Sequence, residues 1–210
     1  MSDAAQAYWD ANAEAYSFAH PLERAWLAEL PKGARILDYG CGYGRMTAEL
    51  AAAGWRAVGV DFSAGMIARG RRAHPQLELR QVAGLPLHEA DAAFDAAIVF
   101  AVLTCVPADA DQRALVAELR RLIRPGGLLY ISDYLLQPGE RYAARYEAGL
   151  ARHGVLGVWD REDGGVFRHH AREGLDALLA DFELVSEREV ETVTLSGASA
   201  TAIQRLARRC

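Results

Sequence analysis

Residues 36–44 read Ile-Leu-Asp-Tyr-Gly-Cys-Gly-Tyr-Gly and place three alternating glycines directly after a short apolar segment. Glycine adopts positive φ readily and lets the backbone approach a ligand closely. A strand followed by such a turn is typical of nucleotide-binding α/β folds. Asp38, which precedes the glycines, would repel a pyrophosphate held by backbone amides, and the third-glycine position of a dinucleotide turn holds the bulky Arg45. The segment therefore predicts a cofactor site and disfavours a dinucleotide.

Short apolar segments alternate with helical patterns along the rest of the chain. The predicted strands are 34–39, 56–61, 77–82, 94–100, 127–133, 182–194 and 200–208. The clearest predicted helix, 109–124, has apolar residues at helical spacing and ends at a Pro-Gly-Gly sequence. Such alternation is the pattern of parallel βαβ units. Because residues 196–199 are too short for a parallel crossover, we expect the last two strands to form an antiparallel hairpin.

Composition places further bounds on the protein. The chain has 210 residues, 51% of them hydrophobic and 24% charged, which fits a single catalytic domain. A formal net charge of −5 disfavours a nucleic-acid partner. The three cysteines have neither metal-site nor disulfide-framework spacing, so we expect no disulfide and no metal site. No basic-then-apolar leader and no membrane span are present, so the expected location is the cytoplasm, away from membranes.

With these motifs the chain resembles the class I S-adenosylmethionine-dependent methyltransferases, small-molecule type. The first motif of that family is an acid followed by three alternating glycines after the first strand. The resemblance covers residues 34–134 and, more loosely, the terminal hairpin. It implies an α/β fold with a Rossmann-like seven-stranded sheet, a terminal antiparallel hairpin and helices on both faces. It also implies S-adenosylmethionine as cofactor and a small-molecule methyl acceptor.

The resemblance assigns cofactor contacts to the carboxyl ends of the first two strands. Asp38 and the three glycines (Gly40, Gly42 and Gly44) would hold the amino-acid tail of the cofactor. Asp61 ends the second strand, where its carboxylate would accept hydrogen bonds from both ribose hydroxyls. The alternative role for Asp61 is to cap the following helix, which begins near Ser63. Phe62 would offer a ring face to adenine.

The third and fourth strands supply the remaining predicted contacts. The family carries an acid after the third strand that binds the adenine amino group, but this chain has Val82, Ala83 and Gly84 there. Adenine recognition at Ala83 and Gly84 would therefore depend on backbone groups or on another side chain. Phe100 and Ala101, at the end of the fourth strand, would line the methionine end.

Two segments lie outside the repeating pattern of what we expect to be one methyltransferase domain, 1–210. In the N-terminal arm, 1–30, helical spacing relates Trp9, Asn12, Ala13 and Tyr16. This aromatic face either packs on the sheet or, as in the resembling family, closes over the cofactor, with Tyr16 reaching the sulfonium. The second segment, 135–168, is expected to be a lid-like insertion with a helix and two short strands.

Methyl transfer requires alignment of the nucleophile and, for weakly acidic acceptors, removal of a proton. His169 and His170 are the candidate bases, because an imidazole titrates in the useful range and the pair precedes a helix at the expected sheet edge. Asp133 and Tyr134, at the end of the fifth strand, are alternative bases by location alone. The structural alternative for the histidines is that one caps that helix and the other is exposed.

The predicted activity is methyl transfer to an oxygen, nitrogen or sulfur atom of a small metabolite. Two other functions stay open at this level. One is a nicotinamide-dependent oxidoreductase on a related sheet, and the other is a non-catalytic S-adenosylmethionine-binding subunit. The sequence makes no prediction of oligomeric state or of the acceptor's identity.

Overall fold

The computed structural model describes residues 3–210. Its helices are α1 (Asp3–Ala11), α2 (Arg45–Ala52), α3 (Ala64–Ala73), α4 (Asp109–Leu122), α5 (Glu140–His153) and α6 (Arg172–Leu178). Its strands are β1 (Arg35–Tyr39), β2 (Arg56–Asp61), β3 (Glu78–Gln81), β4 (Phe94–Phe100), β5 (Ile123–Tyr134), β6 (Val158–Asp160), β7 (Val166–Arg168), β8 (Phe182–Val193) and β9 (Ser199–Arg209). Short 3₁₀ helices occupy Arg24–Leu27 and Leu103–Cys105.

Seven strands form one sheet in the order β3-β2-β1-β4-β5-β9-β8. Strands β1 to β5 pair in parallel, whereas β9 pairs antiparallel with both β5 and β8. This arrangement confirms the predicted Rossmann-like fold with a terminal antiparallel hairpin. The strand order reverses between β1 and β4, and in open α/β sheets ligands bind beside the carboxyl ends of the strands at such a point.

Each face of the sheet buries its own apolar cluster. Alternation along the strands sends successive side chains to opposite faces. One cluster joins strand residues such as Leu37 and Leu129 to Leu115 and Leu119 of α4. The other joins strand residues such as Ile36, Ile98 and Tyr130 to Met46 and Leu50 of α2. Both faces are therefore covered, which the near-continuous apolar strands require.

The N-terminal helix is shorter than the spacing of its aromatic residues predicts. Helix α1 ends at Ala11, and Tyr16 lies beyond it in the following turn. The Asn12 side chain donates a hydrogen bond to the Tyr8 carbonyl at 2.8 Å, and such side-chain bonds compete with the helical backbone pattern. Trp9, Ala13 and Tyr16 nevertheless share one apolar cluster.

The segment before α6 forms α5 and a β6–β7 hairpin, as the pattern of residues 135–168 predicts. Helix α5 lies directly against β6: a Cβ on Gly149 would come within 1.7 Å of the Val158 carbonyl oxygen. The segment is tied to the sheet because the His170 N–H donates to the Tyr134 carbonyl at 2.9 Å. These contacts hold α5 and the hairpin beside the end of β5.

Within residues 3–210 no helix combines the length and the apolar character that crossing a bilayer requires.

Candidate active site

The glycine loop, residues 40–44, connects β1 to α2. Gly40, Gly42 and Gly44 have φ values of +72°, +54° and +83°, a region that favours glycine. Side chains would also collide there. A Cβ on Gly40 would lie 2.4 Å from Val102, and one on Gly42 would lie 3.0 Å from the Phe18 ring. The tight bend therefore depends on glycine.

Backbone N–H groups of the glycine loop are bonded within the protein. Gly40 and Cys41 both donate to the carbonyl of Val60, at 2.8 and 3.0 Å. Gly42 donates to a carboxylate oxygen of Asp61 at 2.9 Å. A pyrophosphate cradle needs such amides to face the ligand. Because these three are engaged elsewhere, they are not free to hold a pyrophosphate.

Asp61 joins the end of β2 to the glycine loop. Besides accepting from Gly42, its carboxylate accepts a hydrogen bond from the Ser63 N–H at 2.8 Å. Burial raises the pKa of this carboxyl to about 6, although the backbone hydrogen bonds act in the opposite direction. Each carboxylate oxygen has a second lone pair, so Asp61 retains acceptor capacity toward the cavity that it lines.

Asp38 lies behind the glycine loop. It is buried, and its carboxylate accepts a hydrogen bond from the Thr47 hydroxyl at 2.6 Å. Burial raises its pKa to about 6. It does not line the neighbouring cavity, so direct contact with a bound amino group, as the sequence predicts, is not part of this arrangement.

An open cavity, called here the glycine-loop cavity, lies at the carboxyl ends of β1, β2 and β4. The predicted residues that line it are Gly40, Gly42, Asp61, Phe62, Phe100 and Ala101. The predicted residues that do not line it are Tyr16, Asp38, Gly44, Ala83 and Gly84. Val82 lines it next to β3, so this wall is apolar.

Tyr16 instead joins the N-terminal arm to the β6–β7 hairpin. Its hydroxyl lies 2.6 Å from the Tyr8 hydroxyl and donates to the Asp163 carboxylate at 3.1 Å. Asp163 also pairs with Arg161 at 2.7 Å, which helps to lower its pKa to about 2. The arm and the hairpin thus meet through the hydroxyls of Tyr8 and Tyr16 on Asp163 and through ring contacts with Phe167.

A second open cavity, called here the aromatic cavity, adjoins the first. Its aromatic lining consists of Trp9, Phe18, Tyr134, Tyr142, Trp159 and Phe167. Its imidazole and guanidinium groups come from His20, His169, Arg145 and Arg161. Trp9, Phe18, Ala101 and Cys105 line both cavities. A ligand in one cavity would therefore be adjacent to a ligand in the other.

Ala101 stands at the junction with a strained backbone. Its φ of +54° lies in the left-handed region, which non-glycine residues seldom adopt. Its N–H donates to the Ser132 carbonyl at 2.7 Å, which fixes the chain as it leaves β4. Strained residues of this kind cluster at functional sites, where the surrounding structure holds them.

Of the two candidate bases, only His169 lines a cavity. Its Nδ1 lies 2.7 Å from the Tyr146 hydroxyl. Burial, reinforced by Arg145, lowers its pKa to about 4. His169 is therefore neutral near pH 7 and is held by its Tyr146 partner.

His170 lies in the interior, away from both cavities. Its Nε2 accepts a hydrogen bond from the Gln112 side chain at 2.9 Å, and its Nδ1 lies 3.4 Å from the Tyr134 carbonyl. Burial lowers its pKa to about 3. Neither the helix-cap nor the exposed alternative describes it, because it joins α4 to the end of β5.

His20 is a cavity residue that the sequence reasoning missed. It is buried, its Nδ1 lies 2.8 Å from the Ser132 hydroxyl, and its Nε2 has no hydrogen-bond partner among residues 3–210. Burial lowers its pKa to about 4. It lies in an irregular segment with no motif, so only its long-range contact with β5 identifies it.

In the described part of the chain, no group of three or more His, Cys, Asp or Glu side chains is arranged to hold a metal ion. Cys41, Cys105 and Cys210 are free thiols.

Sequence comparison matches residues 36–127 to a family described as a methyltransferase domain. The chain is 36% identical over 115 residues to a demethylmenaquinone methyltransferase of Beutenbergia cavernae, covering 54% of this chain and 46% of that protein. It is 39% identical over 131 residues to a trans-aconitate 2-methyltransferase of Azoarcus sp., covering 59% and 49%. The chain thus spans about half the length of these two curated relatives.

Structural comparison supports the same fold. A crystal structure of an S-adenosylmethionine-dependent methyltransferase from Methanosarcina mazei superposes with a TM-score of 0.83. The superposition covers 90% of this chain and 99% of the other at 24% sequence identity. At that identity the likeness shows the fold.

Proposed function

We propose that the chain is a class I S-adenosylmethionine-dependent methyltransferase that transfers a methyl group from S-adenosylmethionine to an oxygen, nitrogen or sulfur atom of a small metabolite. The observation that carries the proposal is the pair of adjoining cavities that share Ala101, Cys105, Phe18 and Trp9. One cavity suits a nucleoside cofactor, and the other leaves room for an acceptor beside it.

The charge of the glycine-loop cavity suits the cofactor. Among the described residues, the carboxylate of Asp61 is the one acidic group in its lining. Its lining within residues 3–210 contains no lysine or arginine. S-adenosylmethionine supplies an electrophilic methyl group on a positively charged sulfur, and a carboxylate-lined cavity suits that charge.

Individual roles follow from these positions. Asp61 accepts hydrogen bonds from the ribose hydroxyls while its bonds to Gly42 and Ser63 fix its orientation. Phe62 and Val82 form apolar walls for adenine, and Phe100 and Ala101 lie toward the methionine end. Alignment of the acceptor and exclusion of water are then the main contributions of the chain to an in-line displacement. The three free thiols suit a reducing compartment, and a cytoplasmic location belongs to this proposal.

The two alternative functions have less support. An oxidoreductase that binds a dinucleotide would need free amides at the glycine loop, and those of Gly40, Cys41 and Gly42 are occupied. A non-catalytic binding subunit would need no second cavity beside the first. The curated relatives described above are named as methyltransferases.

The direct test is incubation of the protein with methyl-labelled S-adenosylmethionine and fractionated metabolite pools. We expect transfer of label to a small molecule, and loss of transfer in Asp61→Ala. The matched control is Asp181→Ala, because Asp181 is exposed and lies at the start of the terminal hairpin. Binding of the cofactor without transfer to any pool would overturn the proposed activity.

A further inference from the structure

The aromatic cavity has an unusual polar lining. Arg145 and Arg161 line it, whereas no Asp or Glu among the described residues does. Arg161 is already paired with Asp163. Arg145 has no carboxylate within ion-pair distance in the described chain and instead lies over the Trp159 ring, 4.7 Å from its centroid. A half-buried guanidinium is thus available to a ligand.

The hydrogen-bond network assigns the His169 tautomer. The Tyr146 hydroxyl oxygen already accepts from the Gln137 N–H at 3.0 Å. Its proton has one recorded acceptor in the described structure, His169 Nδ1 at 2.7 Å. Donation to Nδ1 leaves the imidazole proton on Nε2. His169 therefore offers the cavity an N–H donor, and it does not offer a basic nitrogen.

The same reasoning applies to His20. The Ser132 hydroxyl oxygen accepts from the Gln204 side chain at 3.2 Å, and His20 Nδ1 lies 2.8 Å from it. Donation of the Ser132 proton to Nδ1 again leaves an N–H on Nε2. That Nε2 is fully enclosed and unpartnered in the described residues, as is Nε1 of Trp159. A buried donor left without an acceptor costs about 1–3 kcal/mol.

These groups lie along one connected wall. The ring centroids of Trp159 and His169 are 5.8 Å apart, those of His169 and Tyr134 are 5.4 Å apart, and those of Tyr134 and His20 are 4.8 Å apart. Arg145 stands at the Trp159 end. The wall thus carries aromatic faces and the N–H donor of His169, and it has the Arg145 guanidinium at one end.

On the basis of this donor-lined aromatic wall, we propose that the methyl acceptor is a planar aromatic carboxylate. The carboxylate pairs with Arg145, and the ring stacks against the aromatic faces. An oxygen acceptor on the ligand takes the Nε2–H of His169, which lines the cavity. A guanidinium pairs with a planar carboxylate through two parallel hydrogen bonds, which gives orientation as well as affinity. The inference rests on the proposed function and adds the chemical class of the acceptor.

Charge separation between the two cavities is consistent with this assignment. The glycine-loop cavity has the Asp61 carboxylate and no basic lining residue, whereas the aromatic cavity has Arg145 and no acidic one within residues 3–210. A cationic cofactor and an anionic acceptor would therefore each meet a complementary lining. Because the assigned tautomer turns an N–H of His169 toward the cavity, this imidazole does not act as the base.

The test is calorimetric titration of the protein, saturated with S-adenosylhomocysteine, with benzoate, 2-hydroxybenzoate and 1-hydroxy-2-naphthoate. The corresponding amides have the same shape without the charge. We expect at least one acid to bind roughly tenfold or more tightly than its amide, as expected for a charge-assisted pair. Equal binding of acids and amides, or no binding by any acid, would overturn the inference.

Substitutions of two arginines on α5 test where the aromatic acid binds. Arg145→Met should remove the preference for the acid and retain affinity for S-adenosylhomocysteine, which also shows that the variant is folded. Arg152→Met is the matched control on α5, because Arg152 is largely exposed, pairs with Asp160 and does not line the cavity. An unchanged acid preference in Arg145→Met would contradict the assignment.

Two further outcomes separate the inference from the function on which it rests. If S-adenosylhomocysteine itself fails to bind, the proposed function fails first. If S-adenosylhomocysteine binds but competes with the aromatic acids, the aromatic cavity belongs to the cofactor, and the acceptor assignment is wrong.

Discussion

The Asp61 carboxylate accepts a hydrogen bond from the Gly42 N–H at 2.9 Å and so links the end of β2 to the glycine loop on β1. One side chain thereby shapes the loop and also lines the cavity that the loop borders. A bound ribose and the loop would be held by the same carboxylate. Substitutions at Asp61 are therefore expected to affect both loop stability and ligand affinity.

Replacing Asp61 with alanine should weaken binding of S-adenosylhomocysteine by about 1.5–3 kcal/mol, the scale of hydrogen bonds to a charged group. Calorimetric titration measures the change. Asp181→Ala should bind as the wild type does, because Asp181 is exposed and remote from the cavity. Unchanged affinity in Asp61→Ala would refute the ribose role.

Affinity for S-adenosylhomocysteine should rise between pH 5 and pH 7. The pKa of Asp61, raised by burial to about 6, means that the carboxyl is protonated below that pH and ionised above it. Only the ionised form accepts the stronger charge-assisted hydrogen bonds. Asp61→Asn should show a smaller step, and any remaining step is expected from Asp38, whose pKa is also about 6. Identical pH profiles in both proteins would count against Asp61.

Gly42→Val should abolish cofactor binding and lower the melting temperature. The φ of +54° strains any side chain, and the new Cβ would lie 3.0 Å from the Phe18 ring, with two further methyl groups added toward the cavity. Thermal unfolding with and without S-adenosylhomocysteine separates the two effects. Gly174→Ala, in α6 with open space around the new Cβ, should not lower stability. A ligand-induced stabilisation of Gly42→Val equal to that of wild type would contradict this role.

His170→Ala should destabilise the protein by about 1–3 kcal/mol, because Gln112 loses a buried partner. Cofactor affinity should not change, since His170 lines neither cavity.

The stability of the protein should also depend on pH through His170. A histidine pKa lowered to about 3 in the folded state makes the unfolded chain bind more protons below about pH 6.5.

The wild type should therefore lose more stability than His170→Ala when the pH falls from 7 to 5. Denaturant unfolding at the two pH values measures this difference. His88→Ala, at an exposed histidine, provides the control. Equal losses in wild type and His170→Ala would show that His170 does not stay neutral in the folded protein.

Asp163→Ala should loosen the N-terminal arm, because Tyr8 and Tyr16 both donate to the Asp163 carboxylate. Hydrogen exchange of the α1 amides should become faster. Glu162→Ala is the matched control, since Glu162 is the exposed neighbour of Asp163 in the same loop. Equal exchange in the two variants would show that the arm is held by its apolar contacts alone.

The fold could be predicted from the sequence because its signals are local. Alternation of apolar segments with helical patterns identified the seven strands of the sheet, and the short link at 196–199 required an antiparallel hairpin. The exceptions were also local. Helix α1 ends at Ala11, where the backbone and the side chain of Asn12 both donate to the Tyr8 carbonyl, and β5 begins at Ile123, before the glycines that the pattern assigned to the turn.

The sequence by itself was enough to group the glycine loop, Asp61 and the apolar ends of β2 and β4 into one predicted site. The reason is that the carboxyl ends of parallel strands meet at one edge of the sheet. Only the tertiary structure placed Asp38 behind the loop and brought His20, Arg145 and Trp159 to a second cavity. The separation of His169 from His170 was likewise a tertiary outcome, because adjacent residues of an extended chain point to opposite sides. Contacts between segments that are distant in the chain leave no local pattern, so side-chain direction, burial and proton position had to come from the folded protein.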